Sequence, residues 1–336
     1  MPKKRRQENK GLPEGCRWKN GAIRYRSGGK EVTLGKTIAE AYRALSTITE
    51  ARKDRKTIAH LLDRYIIEVL PTKAAATIKG QAVQAEILRK IMGDNPLDAI
   101  EPQHIYQYFD AHRSKVSAKR EIALLSHAYT KAVQWGYLSK HPFKGEVRLK
   151  GEKPRDRYVE DWEIIECLAL PSPQAKGGVK AIQAYIRLKL LTGLRRQDLL
   201  KLKVSDCHED GIHITTSKTG KPIIYGWSDS LKEAVKIAKL IRPTRFSQYI
   251  FCSKSGECYI GKDSSVSGWN SIWQRFMARV LAETKVTERF TEHDLRAKVA
   301  SDAGSLERAQ ELLTHADSRL TQRVYRRKVE VINPVK

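Results

Sequence analysis

The sequence contains no apolar run approaching the roughly 20 residues that cross a membrane. Its opening stretch is basic from Lys3 to Arg6 and lacks the apolar segment of a secretory signal. The five cysteines are odd in number and scattered, and no Cys-x-x-Cys pair occurs, so neither a disulfide framework nor a zinc module is indicated. We therefore expect a cytoplasmic protein that holds no metal and no cofactor.

Acidic residues are few relative to basic ones. The chain has 38 Asp and Glu against 63 Lys and Arg, a formal net charge of +25. So large an excess predicts a polyanionic partner, with nucleic acid first and an anionic membrane surface second. No basic amphipathic helix with an aromatic face stands out, which leaves the membrane surface as the weaker alternative. Residues 1–56 alone hold 16 Lys and Arg against 6 Asp and Glu, so positive charge is concentrated there.

Residues 1–56 predict a small three-stranded sheet with one helix. Two strands flank a tight Asn-Gly turn at Asn20, and a third strand covers 31–35. Thr37, followed three residues later by Glu40, is typical of a capping box that opens a helix. The concentrated charge favours a DNA-binding module over a solvated surface sheet. The residues expected to contact DNA in this module are Arg17, Lys19, Arg24 and Arg26.

Helical periodicity dominates the next stretch, residues 57–150. Apolar residues recur there at spacings of three and four, and a basic stretch with glycine and proline over 145–154 indicates a linker. Lys115, Lys119 and Arg120 fall on nearby helical turns and are candidates for phosphate contacts. An ordinary solvated helix face is the alternative for each of them.

The length of the chain allows two or three domains, each with its own core. After the linker the pattern is mostly helical, with two short strands over 212–216 and 222–225. The prediction is a multidomain protein, mainly α with small β elements. The expected domains are 1–56, 57–150 and 151–336.

One arginine in the last region occupies a position suited to phosphate binding. Gly193 breaks the end of an apolar helix, and Arg195 follows two residues later. A guanidinium can hold two oxygens of a phosphate at once. Asp198, one turn on, is expected to brace Arg195, while an arginine pair on a helix surface is the alternative for Arg195 and Arg196.

Lysines mark the turn between the two short strands. Lys218 can swing over a bound phosphate and protonate a leaving oxygen, because an ammonium is a mobile donor on a flexible stem. Lys221 is the rival for this role. Lysine-glycine hairpin turns are common, so this element alone says little.

The end of the chain contains two histidines, an arginine and a tyrosine in close order. His293 and Arg296 share one helix face, so both can reach one set of phosphate oxygens. A metal site is the alternative, but a His-Glu-x-x-His pattern and a third ligand are missing. Ten residues separate His315 from Tyr325, and a phenol can act as a nucleophile.

Together these elements resemble the tyrosine recombinase (phage integrase) family. The family has Thr-Gly-x-Arg-x-x-Glu-Leu, a hairpin lysine, His-x-x-Arg, Leu-Gly-His, and a tyrosine nine or ten residues later. This chain has aspartate in place of the glutamate and Thr314 in place of the second glycine. The residues that carry the resemblance are Arg195, Lys218, His293, Arg296, His315 and Tyr325.

The resemblance implies DNA strand exchange. Two arginines would clamp the scissile phosphate, and Tyr325 would attack it to give a 3′-phosphotyrosyl link and a free 5′-hydroxyl. Lys218 would protonate the leaving oxygen. His293 would act as general base or orient the tyrosine, and His315 would hydrogen-bond the phosphate.

The resemblance also implies partners and an architecture. A helical core-binding domain over 57–150 and an α+β catalytic domain over 151–336 would enclose double-stranded DNA attachment sites, with four copies of the chain assembled on two duplexes. The basic module over 1–56 favours a lambda-type integrase, whose first domain grips arm-type sites. The expected task is integration and excision of a prophage or related element on the nucleoid of a bacterial host. An excisionase and a DNA-bending host factor are candidate partners.

Two other functions fit part of the same pattern. A type IB topoisomerase-like nicking and closing enzyme shares the chemistry, and only an assay for exchange between specific sites separates it from a recombinase. A non-catalytic DNA-binding regulator descended from a recombinase is the other alternative. All six candidate catalytic residues are present, which argues against such a loss of catalytic activity.

Overall fold

A computed structural model of the protein describes residues 9, 11–27, 30–48, 56–150, 155–173, 175–261, 264–313, 319 and 321–328. The chain divides into two compact units, Met1–Glu152 and Lys153–Lys336. The predicted fold class, mainly helical with small sheets, is confirmed. Within the described part of the chain, no helix is both long and apolar enough to cross a membrane.

The first unit opens with the predicted antiparallel sheet and its helix. The strands are β1 (Cys16–Lys19), β2 (Ala22–Ser27) and β3 (Lys30–Gly35), and helix α1 covers Ile38–Ile48. Asn20 adopts a positive φ of 52°, as the tight turn between β1 and β2 requires. Because side chains alternate across a strand, one sheet face is apolar and packs on α1, while the other carries the arginines and lysines.

Four helices follow in the first unit. They are α2 (Ile58–Glu68), α3 (Ala75–Met92), α4 (Pro102–Ala111) and α5 (Lys115–Gln134). The side chains of Thr57 and Ser114 cap the starts of α2 and α5 by accepting backbone hydrogen bonds. The apolar faces of these helices meet in one core, in which Tyr65 and Tyr129 are fully buried. All four helices lie within residues 57–150, where the periodicity of the sequence predicted helical structure.

The second unit is helical with one hairpin. Its first helices are α6 (Asp161–Ala169), α7 (Gly178–Thr192) and α8 (Arg196–Leu200), and the hairpin pairs β4 (Gly211–Thr215) with β5 (Pro222–Gly226). The later helices are α9 (Asp229–Leu240), α10 (Ser267–Glu283), α11 (Glu292–Asp302) and α12 (Leu306–Leu313). A core built around Trp269 and Tyr185 joins α7, α9 and α10. This core holds the two motif-bearing helix ends, those of α7 and α11, in place.

A short π-helical turn, Thr321–Tyr325, packs on α11 and α12. The contact surface is made of small residues: Ala297 and Ala300 of α11 and Ala309 of α12 are buried against Tyr325. Small side chains let the turn approach closely, so the tyrosine ring lies against the helix that carries His293.

Candidate active site

Arg195 lies where the chain turns sharply between α7 and α8. Gly193 ends α7 in the left-handed region, with φ of 63°, which favours glycine. A Cβ at Gly193 would lie 3.2 Å from side-chain atoms of both Leu313 and Val299, so a larger residue would also require these neighbours to shift by a few tenths of an ångström. Arg195 follows in extended conformation and is half-buried. Among the described residues its guanidinium has no hydrogen-bond or ion-pair partner, which leaves it available to an anion.

Arg296 is the buried member of the arginine pair, with a relative exposure of 2%. Its guanidinium donates to the carbonyls of Gly193 and Leu313, so it connects α11 to the other two motif segments. Burial and the nearby charge of Arg195 lower the pKa of Arg296 to about 10. Two like charges held side by side are stabilised by an anion between them, and a phosphate fits that requirement.

His293 stands at the N-terminal end of α11, next to the tyrosine. The Thr291 and Asp294 side chains form a capping box at this helix start. The His293 ring meets the Tyr325 ring edge-on, with 5.0 Å between centroids. Partial burial is the largest cause, and the positive charges of Arg327 and Lys189 come next; together they lower the pKa of His293 to about 4. The imidazole is therefore neutral at pH 7 and can accept a proton.

Tyr325 is held in place through its backbone and its ring. The Ser301 hydroxyl donates to the Tyr325 carbonyl at 2.9 Å and accepts from the Arg327 amide at 2.7 Å. Arg327 also pairs with buried Asp294 at 2.6 Å. The centre of the Arg296 guanidinium lies 5.8 Å from the centroid of the tyrosine ring. Each of these partners belongs to the second unit, so the tyrosine lies beside the arginines and His293 of its own chain.

Lys218 is exposed at the tip of the β4–β5 hairpin. The turn is closed by Thr216, whose amide donates to the Lys221 carbonyl at 3.0 Å. Asp198 accepts a hydrogen bond of 2.7 Å from the Ser217 amide, next to Lys218. Its second oxygen is buried with no hydrogen-bond partner in the described part of the chain. The structure thus gives Asp198 a partner other than Arg195: the carboxylate braces the lysine hairpin.

Replacing Asp198 by alanine is expected to loosen this hairpin. Loss of a buried carboxylate that accepts a backbone hydrogen bond costs about 1–3 kcal/mol. Hydrogen exchange at the Ser217 amide, measured by mass spectrometry, should accelerate strongly. Asp198→Asn is the matched control, because it keeps an oxygen acceptor in the same position. Equal exchange at Ser217 in wild type and Asp198→Ala would contradict the bracing role.

The structure therefore brings four of the six predicted catalytic residues together. Arg195, Arg296, His293 and Tyr325 lie close together, where α7 packs on α11 and α11 packs on the π-helical turn. Lys218 stays on its hairpin, and neither Lys218 nor Lys221 has a side-chain partner among the described residues. His315 lies outside the described residues. In the described part of the chain, no group of three or more His, Cys, Asp or Glu side chains that could hold a metal ion occurs.

The cations predicted for DNA contact in the N-terminal sheet share one face. Arg17, Lys19 and Arg24 converge on Glu31, with nitrogen–oxygen distances of 2.6, 3.0 and 3.6 Å. Hydrogen bonds to Arg17 and Lys19 lower the pKa of the Glu31 carboxyl to about 2. Arg26 is exposed on the same strand as Arg24. This face keeps a net positive charge, since four cations surround one carboxylate.

The cations predicted on α5 differ in their surroundings. Lys115 donates to the carbonyls of Phe109 and Asp110, at 2.9 and 2.8 Å, and so caps the end of α4. Lys119 lies 6.0 Å from the centroid of the Phe109 ring. Arg120 is exposed and has no side-chain partner in the described part of the chain. The structure therefore gives Lys115 a local structural contact, and Arg120 none.

A second basic cluster in the first unit was not predicted from the sequence. Lys73 donates to the Tyr65 hydroxyl at 2.8 Å, and the same hydroxyl lies 2.6 Å from Nδ1 of His127. Burial and the charges of Lys73, Lys131 and Lys144 lower the pKa of His127. No carboxylate pairs with any of these four side chains among the described residues. Lys73 and Lys144, the first and last residues of this cluster, are 71 positions apart in the sequence, so only the folded structure shows that they are neighbours.

Comparisons with known proteins match this chain to integrases. The model of the phage integrase family matches residues 174–330. The integrase of Escherichia phage P2 is 30% identical over 149 residues, which are 43% of this chain and 42% of that protein. The integrase of Enterobacteria phage 434 is 26% identical over 247 residues, 66% of this chain and 67% of that protein. The chain thus spans less than half of the P2 integrase and about two thirds of the 434 integrase in these matches.

Solved structures match over most of the chain. A lambda integrase tetramer bound to a Holliday junction is 25% identical, with a TM-score of 0.65 and 99% of each chain covered. A Tn1549 transposon integrase in complex with circular intermediate DNA is 15% identical, with a TM-score of 0.62, covering 79% of this chain and 94% of that one. At such identities these similarities establish a shared fold.

Proposed function

Because the chain belongs to the phage integrase family of tyrosine recombinases, we propose that it cuts and rejoins DNA at specific sites through a 3′-phosphotyrosyl intermediate. Its task is the integration and excision of a prophage or related mobile element. One observation carries the proposal: two guanidiniums, a neutral imidazole and a tyrosine meet in a single unit. That set can bind a phosphate diester and attack it.

The arginines bind the scissile phosphate. Arg296 is held rigid by two carbonyls, whereas Arg195 has no partner among the described residues and can turn both of its terminal nitrogens to the substrate. As the phosphorus becomes five-coordinate, negative charge builds on its non-bridging oxygens. Donors already in place stabilise that charge without reorganising, which is the main electrostatic contribution to phosphoryl transfer.

Tyr325 is the nucleophile. Its oxygen bonds to phosphorus while the bond from phosphorus to the 5′ oxygen breaks. The neutral His293 ring beside it can accept the phenolic proton or orient the phenol. The proton for the departing 5′ oxygen comes from the flexible side chain of Lys218, exposed at its hairpin tip, with Lys221 as the alternative donor. His315 completes the set as a hydrogen-bond donor to the phosphate.

Rejoining reverses these steps. The phosphotyrosine keeps the energy of the phosphodiester, so a 5′-hydroxyl from another strand can displace the tyrosine without ATP. We propose that four copies of the chain assemble on two duplexes for this exchange, in the bacterial cytoplasm on the nucleoid. The tetramer of lambda integrase on a Holliday junction supports that assembly. An excisionase and a DNA-bending host protein are proposed as further partners.

The three predicted domains divide the DNA contacts. Residues 1–56, with the basic face of Arg17, Lys19, Arg24 and Arg26, bind arm-type sites. Residues 57–150 bind the core site, through Lys119, Arg120 and the basic cluster around Lys73, and residues 151–336 perform the chemistry. The sheet face and the cluster both concentrate cations, and phosphate contacts of this kind supply most of the affinity for DNA.

Lys73→Ala is expected to weaken core-site binding more than Lys115→Ala does. The ammonium of Lys73 lacks a carboxylate partner among the described residues, whereas that of Lys115 is engaged by two carbonyls. Loss of one phosphate contact should lower the affinity several-fold and reduce the slope of log K against log salt by about 1. Fluorescence anisotropy at several salt concentrations measures both quantities. The opposite order of effects would assign the contact to Lys115.

Covalent trapping tests the proposed function directly. Nicked duplexes from the flanks of the gene are incubated with the protein in EDTA and analysed under denaturing conditions. We expect a covalent protein–DNA band that is blocked at the DNA 3′ end and leaves a 5′-hydroxyl that a kinase can label. Specific binding without any covalent band would favour a DNA-binding regulator. Cleavage without exchange between sites would favour a topoisomerase-like enzyme.

A further inference from the structure

A buried lysine lies directly behind the segment that presents Arg195. Lys189 belongs to the last turn of α7 and has a relative exposure of 1%. Its Nζ donates to the carbonyl of Leu194, the residue before Arg195. The preceding carbonyl, that of Gly193, accepts from Arg296. Two consecutive carbonyls just before Arg195 are thus each held by a buried cation.

The surroundings of Lys189 are ionisable on several sides. Its ammonium lies 5.8 Å from the ring centroid of Tyr185, on the same helix. The Tyr185 hydroxyl donates to Glu292 at the start of α11, and Arg196 lies 3.7 Å from the same carboxylate. The charged groups that act on Lys189 are Arg296 and Glu292 of α11, and Asp198 and Arg196 of α8. Lys189 in turn acts on His293.

A lysine in this position is costly for the fold. Burial of an ammonium without a close counter-ion carries a large desolvation penalty, and an apolar residue would avoid it. Burial, with the charge of Arg296 as the next cause, lowers the pKa of Lys189 to about 7. A costly titratable group next to reacting residues is typical of a functional position, and packing alone does not explain it.

We propose that Lys189 is a positioning residue for DNA cleavage: its ammonium holds the Leu194 carbonyl and thereby fixes the backbone that aims Arg195 at the scissile phosphate. This inference rests on the proposed recombinase function. A charged donor holds a carbonyl more firmly than a neutral one does. A bound phosphate adds negative charge nearby and favours the charged amine, so DNA binding and protonation of Lys189 support each other.

The test compares Lys189→Met with wild type in single-turnover covalent trapping across pH 5.5 to 9. Methionine has a similar length and no charge. At low pH, where Lys189 is charged, the variant should form adduct about 10- to 100-fold more slowly than wild type. A small misplacement of a reacting group slows a reaction by about this factor. Its affinity for DNA should fall far less than its rate of adduct formation, and its thermal stability should not fall. Lys180→Met, at an exposed position of the same helix, should behave like wild type.

The pH dependence separates positioning from packing. Dividing the wild-type rate by the variant rate cancels the groups that titrate in both proteins. Lys189 is charged below its pKa, so the ratio should be largest near pH 6 and should shrink as pH rises through the pKa. Lys189→Gln keeps a neutral hydrogen-bond donor, so its adduct rate should lie between those of wild type and Lys189→Met. It should lose the Lys189-dependent part of the pH profile, as Lys189→Met does. It also serves as the second variant should Lys189→Met fail to fold.

Two outcomes would overturn the inference alone. Equal adduct rates in wild type and Lys189→Met would show that the lysine is dispensable, and a ratio constant across pH would assign it to packing. Absence of adduct in wild type on its own sites would instead refute the recombinase function, and the inference with it. Adduct formation by the wild-type protein therefore distinguishes failure of this inference from failure of the recombinase function.

Discussion

Tyr325→Phe should abolish the covalent protein–DNA band while leaving DNA binding unchanged. Phenylalanine keeps the ring that packs on His293 and on the alanines of α11 and α12, and it loses only the hydroxyl. Without that oxygen no phosphotyrosyl bond can form. Loss of an essential nucleophile lowers turnover by about 10⁴-fold or more, which places the variant below detection in a trapping assay.

The measurement is the yield of adduct on nicked DNA in EDTA, with binding followed separately by anisotropy. Tyr259→Phe is the matched control, since its ring packs on Trp269 in the core of the same unit, with 5.2 Å between centroids. It should trap DNA like wild type. A covalent band that persists in Tyr325→Phe would mean that another side chain is the nucleophile, and peptide mapping of the adduct would identify it.

Arg296→Lys is expected to lose both catalysis and stability, whereas Arg195→Lys loses catalysis alone. Lysine is a single-point donor and cannot replace a planar fork that binds two oxygens. Each substitution should slow adduct formation by about 10²- to 10³-fold, as removal of a donor to a developing oxyanion does. The two arginines differ in their protein contacts, because Arg296 donates to Gly193 and Leu313 while Arg195 is half-buried and free among the described residues.

Stability measurements separate the two arginines. Two buried carbonyls that lose a charged donor cost about 2–5 kcal/mol, so Arg296→Lys should unfold at clearly lower urea concentration. Arg195→Lys should unfold like wild type. Equal destabilisation by both substitutions would show that Arg195 also has a structural contact, and equal stability of both would show that the two carbonyl contacts of Arg296 contribute little.

Much of the fold followed from local patterns. The helices α1 to α5, the Asn20 turn and the hairpin of β4 and β5 lie where periodicity, the Thr37 cap and turn residues predicted them. These signals depend on a few neighbouring residues, so they specify the same element in any tertiary structure that buries the same faces. The order and spacing of the motif residues, from Arg195 to Tyr325, were likewise sufficient to recognise the family.

The hydrogen-bond partners of some side chains were predicted wrongly from the sequence, and those of others were not predicted. Asp198 was expected to brace Arg195 because the two are one turn apart, but its carboxylate reaches the Ser217 amide on another element. Lys189 was hidden in an apolar helix pattern, and the cluster around Lys73 joins residues distant in the chain. A buried polar side chain takes whichever partner the packed core places within reach, and that choice depends on long-range contacts.

The sequence by itself therefore determined most of the secondary-structure elements, the resemblance to the phage integrase family and the candidate reacting groups. Only the tertiary structure decided how those groups are supported: Arg296 holds the carbonyl of Gly193, Lys189 holds that of Leu194, and Ser301 holds the backbone of Tyr325. The physical reason is range. Helix and turn preferences come from neighbours along the chain, whereas burial, pKa and hydrogen-bond choice come from neighbours in space.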